Sequence, residues 1–493
     1  MRRKLLLLPA SHDPAPVGFT IFTFMKLFTV VTTLFSAFLA LVCAPLVLIC
    51  LQLERFRRRP FRVSASGDSL RIAYILTDLW GGKPGGAASH KAGFCKGLQE
   101  WDHIPTVLVS QPVPGLDRVV RDYHVLPAPT LPRGFPLTLC VLANNLAFTR
   151  CAYRILRSCR PGVICHRHSH MNYAGVLLSR ILKVPFILEY NSPANWKATA
   201  AAEGHSLFGW IGRFVEKLNL LATDRIMVVS DVLKQRLVDD GIQPDRIVVN
   251  PNGADAELFR PDIDSSAIRQ RLQLEGKIVV GFAGHHNSNN TWHGTKYLAM
   301  AVRKVAERRK DVQFLFIGDQ GLVELVSAIA DAEGTGRFIS YATSIPHPEM
   351  PAYYAACDIL VSPHVHMADG STFFGSPVKI FEYMAMGKPI VASGIAQLAE
   401  LLKAHKNALL TKPGDVEGIA EAILTLASDP ELRRRLGLAA RETCLSQCTW
   451  KHNAQRFIDA YHEALHQRTP GSTTSDAEHP PGGRHVFRPA DGN

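Results

Sequence analysis

Short, fully apolar runs alternate with stretches of mixed polarity from residue 70 to residue 465, which predicts buried parallel strands separated by helices. In the first half the expected strands are LRIAYIL (70–76), GVIC (162–165), FILEY (186–190) and RIMVVS (225–230). In the second they are KIVVGFAG (277–284), VQFLFIGD (312–319), FISYA (338–342), DILVSP (358–363) and PIVAS (389–393). Such alternation gives an α/β fold class, here two Rossmann-like halves in tandem. Pro251, Asn252 and Gly253 make a turn and Pro261 breaks the chain, so the junction falls within 246–262. The segment from Leu432 to Leu465 reads as helical, and beyond Arg468 a composition of Pro, Gly, Ser and Thr predicts a disordered tail.

Two apolar stretches depart from this rhythm. Leu27 to Leu51 is 25 residues without a charge, long enough to cross a bilayer core and longer than the apolar part of a cleaved signal peptide. An uncleaved anchor is expected, although Pro45 leaves a re-entrant hairpin open. The basic collar Arg55, Arg57, Arg58, Arg59 and Arg62 puts the following domains on the cytoplasmic side. The helix expected at 208–222 is amphipathic, with Phe208, Ile211, Phe214 and Leu218 on one stripe that suits either the core or a lipid.

Charge changes the picture only once it is located. The net charge is +12, of which residues 1–64 supply +7, so basicity belongs mainly to the membrane end and gives no nucleic-acid signature. The ten cysteines are scattered singly, without metal-finger spacing, which suits buried thiols in a reducing compartment.

Candidate chemistry concentrates in GSTFFGSPVKIFEYMAMGKPIVAS (370–393), which reads as loop, helix and strand. Ser376 is expected to cap the helix with Pro377 at its first position, and Gly387 with Pro389 to end it. Gly370, Ser371, Gly375 and Ser376 then let backbone N–H groups and a helix N-terminus face an anion. Lys379 and Glu382, three residues apart, share one helix face. A cation near phosphates and a carboxylate for ribose hydroxyls suit a nucleotide diphosphate; a solvent-facing ion pair is the plainer alternative.

The run SPVKIFEYMAMGKPIVAS resembles the donor-site signature of retaining glycosyltransferases of family 4, which have the two-domain GT-B fold. After the anchor and basic linker over 1–64, the resemblance implies an acceptor domain over 65–253 and a nucleotide-sugar donor domain over 254–445. It further implies a terminal helix over 446–467 crossing back to the first domain, before the tail at 468–493. The family's first glutamate is replaced by Phe374, with Asp369 the nearest acidic substitute. By the same resemblance Gly85 and Gly86, with His90 after them, match the acceptor loop, His168 in HRHSH (166–170) faces the donor sugar, and Arg167 is a cation for an anionic acceptor. Glu189 and Asn191 point into the same cleft, Asn191 orienting a hydroxyl, with a buried or hydrogen-bonded carboxylate of structural use the plainer reading of Glu189. Where relatives offer arginine and lysine to the diphosphate, this chain has His285 or His286 and His293, so charge there depends on pH and Lys379 becomes the principal fixed cation.

The function expected is transfer of a sugar from a nucleotide diphosphate donor to a lipid-linked or other saccharide acceptor in glycan or exopolysaccharide synthesis. His168, Lys379 and Glu382 carry it. The donor is a substrate, so no cofactor is implied; no metal is expected, since no DxD-type signature occurs. A nicotinamide oxidoreductase is disfavoured because GGKPGG, not GxGxxG, follows the first strand. A sugar-nucleotide epimerase and a non-catalytic partner subunit remain rivals, the latter because of Phe374 and the missing arginine and lysine.

Overall fold

The computed structural model describes residues 69–78, 85–126, 137–193, 207–286 and 291–467, together with five helical positions between 30 and 38. The anchor expected at Leu27–Leu51 and the tail from 468 otherwise lie outside the described residues. Among the described residues no helix is long and apolar enough to cross a membrane.

Two parallel sheets form the frame. The first contains β1 (Arg71–Leu76), β2 (Ile104–Val109), β3 (Asp122–Val125), β4 (Val163–Arg167), β5 (Phe186–Tyr190), β6 (Arg225–Val228) and β7 (Ile247–Val249), in the order β3-β2-β1-β4-β5-β6-β7. The second contains β8 (Ile278–Gly284), β9 (Val312–Gly318), β10 (Ile339–Thr343), β11 (Ile359–Ser362), β12 (Ile390–Ser393) and β13 (Leu409–Thr411), in the order β10-β9-β8-β11-β12-β13. In each sheet the order reverses beside the first strand, and loops at the carboxyl ends of the strands there are where α/β sheets take ligands. Central strands are buried except at their ends because helices cover both faces, which is why they read as apolar runs.

Four helices position the site: α1 (Gly86–Gln99), α2 (Leu207–Ala222), α3 (Val378–Ala385) and α4 (Trp450–His466). The stripe of α2 faces inward: Ile211 and Leu218 are buried with Val141, Met171 and Tyr173, and Phe214 packs at their edge. The side chain of Phe208 is outside the described residues. Helix α4, capped by Thr449, lies on α1 of the first half, with Phe457 edge-on to Phe94 at 5.2 Å between ring centroids and Phe94 edge-on to Tyr74 at 5.1 Å. Gly93 and Gly97 permit this approach, since a Cβ on Gly93 would stand 2.1 Å from Trp450. The chain crosses between halves at Ala254, which pairs with Thr449 in a short bridge.

Candidate functional site

The helix α3 begins at Val378, one residue later than the capping residues imply, and Pro377 occupies the cap position. Ser376 does not cap it, because its hydroxyl accepts the N–H of Asn252 at 3.1 Å and its carbonyl accepts the Asn252 amide at 2.5 Å. The helix ends as expected, with Gly387 in the left-handed region at φ 64°. Opposite its start stands the glycine turn of the first half. Gly85, at φ 142°, is so near His285 that a Cβ there would lie 3.4 Å from its Nε2, and a Cβ on Gly86 would lie 3.8 Å from Val378. The N-termini of α1 and α3 therefore converge across the two halves, and eight-residue α3 points unsatisfied backbone N–H groups at that gap.

Lys379 reaches from α3 to the end of β8. Its ammonium donates to the Ala283 carbonyl at 2.9 Å and sits 4.4 Å above the Phe282 ring. It is not a fixed cation: burial pushes its pKa down to about 7, with Glu382 opposing. His293 meets buried His364 edge-on (Nδ1 to Nε2 3.3 Å), and burial followed by the charge of Lys379 holds both imidazoles well below their ordinary range. The pH-dependent charge expected at His293 therefore resides in Lys379. His285 and His286 stay at the rim, held by Asp319, whose carboxylate accepts the His286 N–H at 3.1 Å and lies 3.3 Å from His285 Nδ1. Trp292 packs against the main core.

Glu382 is buried on α3. It accepts from Tyr354 Oη at 3.1 Å and lies 2.7 Å from His347 Nε2. Burial opposes a charge on His347, but the bond to Glu382 outweighs it and raises the pKa. Neither His347 nor His364 was legible as a site residue; each reaches its partner only through folding. Phe374 is buried in the core, and its carbonyl accepts from Ser230 Oγ at 2.6 Å, so no carboxylate stands where the resemblance implies one. Asp369 does not replace it. It lies on an exposed turn, where it binds the N–H and hydroxyl of Ser371, and Gly370 there faces open space. Of that loop only Gly375 and Ser376 reach the start of α3.

In the first half, Glu189 is the hub. It accepts from Tyr74 Oη at 2.6 Å and Asn191 Nδ2 at 2.5 Å, forms an ion pair with Arg167, and lies 2.6 Å from His90 Nε2. Burial opposes its ionisation, yet Arg167 and His90 hold its pKa well below the carboxylate range. Arg167 is thus closed by Glu189 and is not the open cation expected for an anionic acceptor. Asn191 likewise spends its amide on Glu189. The network continues through His90 Nδ1 to Asn252 Oδ1 at 2.5 Å, and from Asn252 to Ser376. A continuous chain of bonds thus links the sheet of the first half to the start of α3. His166 is core, bonded to Thr77 Oγ1 at 3.1 Å, and His168 is buried against Tyr190, with ring centroids 5.1 Å apart. Among the described residues no group of three His, Cys, Asp or Glu could hold a metal.

Comparison with known proteins places this geometry. The family model described as Glycosyltransferase Family 4 matches residues 84–258, and the one described as Glycosyl transferases group 1 matches 277–429. The alpha-maltose-1-phosphate synthase of Mycolicibacterium smegmatis is 24% identical over 413 residues, covering 80% of this chain and 99% of that protein. The 2-deoxystreptamine glucosyltransferase of Streptomyces kanamyceticus is 30% identical over 240 residues, covering 47% of this chain and 56% of that protein. Among solved structures, Anabaena HepE in complex with UDP and glucose superposes with a TM-score of 0.61 at 20% identity, over 80% of this chain and all of that one. The chain is therefore assembled from a Glycosyltransferase Family 4 domain and a glycosyl transferases group 1 domain, and its homologues are GT-B glycosyltransferases.

Proposed function

We propose that this protein transfers a sugar, with retention of anomeric configuration, from a nucleotide diphosphate donor to a saccharide acceptor. The observation that carries the reading is the convergence of Gly85, His285, Lys379 and the start of α3 on one gap between the two halves. A pyrophosphate in that gap receives backbone N–H groups and one ammonium, and Glu382 accepts the ribose hydroxyls after exchanging its bond to His347. The UDP and glucose named in the Anabaena neighbour support a donor of this class.

In the reaction the bond between the anomeric carbon and the diphosphate oxygen breaks, and an acceptor oxygen bonds to that carbon from the same face. The acceptor proton passes to the departing phosphate. Charge grows on the diphosphate as the sugar becomes oxocarbenium-like, and protonated Lys379 with the dipole of α3 stabilises it. The transfer runs without a resident metal or cofactor on this reading. The apolar run 27–51 and its basic collar anchor the enzyme to a membrane with both domains on the cytoplasmic side, where the acceptor is lipid-linked.

Incubation with radiolabelled UDP-, GDP- and ADP-sugars and a lipid extract tests this. Transfer of one label, with the donor's anomeric configuration in the product, is expected. Neither transfer nor hydrolysis of any donor would refute catalysis and leave the partner-subunit reading.

A further inference from the structure

Charge in the first half is segregated along the chain. From Tyr123 to Leu188 there are eight Lys or Arg and no Asp or Glu. Arg167 is spent on Glu189 and Arg180 on the Ala222 carbonyl at 3.0 Å, and Arg133 lies outside the described residues. Arg150, Arg154, Arg157, Arg160 and Lys183 are exposed, and among the described residues no carboxylate comes within ion-pair distance of any of them. On the helix Thr295–Arg308 of the second half, by contrast, Arg303, Lys304 and Arg308 each meet a glutamate. Unmatched cations this close repel one another unless something anionic outside the chain faces them.

The five cations gather on one side of the domain. Within the helix Leu137–Cys159, Arg150, Tyr153, Arg154 and Arg157 fall within about 100° of arc, and Tyr153 is 36% exposed. The helix Ala174–Leu182 covers the same side of the sheet, with Ala174 and Leu178 in one core with Phe148 and Leu156. Each helix ends three residues before its strand, β4 or β5, and these strands pair Ile164 with Phe186. Arg160 and Lys183, the first residues after the two helices, therefore stand at the same end, with Ile181, 53% exposed, beside them.

What faces this patch is set by where the chain enters and by the apolar residues within it. Arg71, at the start of β1, donates to the Cys159 carbonyl at 2.9 Å, so the chain enters the domain beside Arg157 and Arg160. The collar Arg55 to Arg62 and the uncharged run 27–51 stand just upstream. A tyrosine and an isoleucine among arginines suit the boundary between lipid headgroups and acyl chains, whereas the phosphate backbone of a nucleic acid gives the isoleucine no partner. We propose that the basic face of the helix Leu137–Cys159, with Ile181 and Lys183 beside it, docks the first half onto an anionic lipid bilayer. The inference rests on the membrane attachment proposed above and adds the surface that fixes the enzyme's orientation. The cations at 157, 160 and 183 lie where the strands begin and the donor gap lies where they end, so a bilayer on this face leaves the gap uncovered.

The test is arginine footprinting with phenylglyoxal, read residue by residue by mass spectrometry, on the full chain in nanodiscs of phosphatidylcholine with or without phosphatidylglycerol. Arg150, Arg154, Arg157 and Arg160 should react roughly fivefold or more slowly in the anionic discs, and high salt should remove the difference, while Arg303 and Arg434 react alike in both. A triple variant, Arg150→Glu with Arg154→Glu and Arg157→Glu, should keep the circular dichroism of the wild type and return Arg160 to its rate in neutral discs. Equal wild-type rates in the two discs overturn the proposal. Stronger protection by an oligoribonucleotide in neutral discs than by phosphatidylglycerol overturns it too and assigns the face to nucleic acid. A chain that separates from neutral discs on gel filtration strikes the attachment read from 27–51 instead. The footprint is then taken with vesicles of the same two compositions, where slower reaction on the anionic ones upholds the docking face and equal rates overturn it.

Discussion

Donor affinity should fall as pH rises through neutrality, with Lys379 setting the slope. Because burial brings its pKa to about 7, the ammonium is roughly 90% populated at pH 6 and roughly 10% at pH 8. If the diphosphate is bound by the charged form, Kd rises about tenfold over that interval, about 1.4 kcal/mol. Binding at pH 8 should also take up nearly one proton, since the diphosphate restores the ammonium. Stability of the protein without donor runs the other way. Between pH 7 and the ordinary lysine value of 10.5 the unfolded chain holds a proton that the folded chain has lost, so stability rises with pH across that window. Calorimetry in buffers of different ionisation enthalpy, with a UDP-, GDP- or ADP-sugar whose diphosphate keeps its charge over the range, measures slope and proton uptake together. Lys379→Met should abolish the slope and stabilise the protein without donor by roughly 1–3 kcal/mol near pH 6. Affinity that is flat from pH 6 to 8.5, or a Lys379→Met variant with the wild-type slope, would refute the reasoning.

Four further outcomes are expected. Glu382→Ala strands His347 Nε2 and Tyr354 Oη, so thermal melting should show a loss of about 1–3 kcal/mol, and donor affinity should drop with it. Asn252→Asp keeps the acceptor for His90 but loses the donor to the Ser376 carbonyl, so donor KM should rise more than melting temperature falls, whereas Asn252→Ala should damage both. Phe374→Glu, which installs the carboxylate that the resemblance implies, should destabilise by at least about 2 kcal/mol and not raise turnover, because the position is buried in the core. Gly93→Ala should lower the denaturation midpoint sharply by driving Trp450 and α4 off α1.

Much of the frame was legible because parallel strands are buried on both faces, so FILEY, VQFLFIG and DILVS announce themselves without reference to anything distant. The end of α3 was equally local, set by Gly387. What the sequence could not show is competition between distant groups. Ser376 has the chemistry of a cap, but Asn252, 124 residues away, takes its hydroxyl. Lys379 has the chemistry of a permanent cation, but Phe282 and Ala283 of β8 desolvate it. Arg167 and Glu189 are adjacent only because β4 pairs with β5 in register. His347 carries no motif at all; its meaning comes from Glu382, which only the folded chain supplies.

A crystal structure with the nucleotide sugar that binds tests the central claim most directly. The account predicts the pyrophosphate in the gap between Gly85 and the start of α3, within hydrogen-bond distance of Lys379 Nζ and the backbone N–H groups of residues 378 and 379, with the ribose on Glu382. A pyrophosphate bound elsewhere, with Lys379 still on the Ala283 carbonyl and Glu382 still on His347, would contradict it.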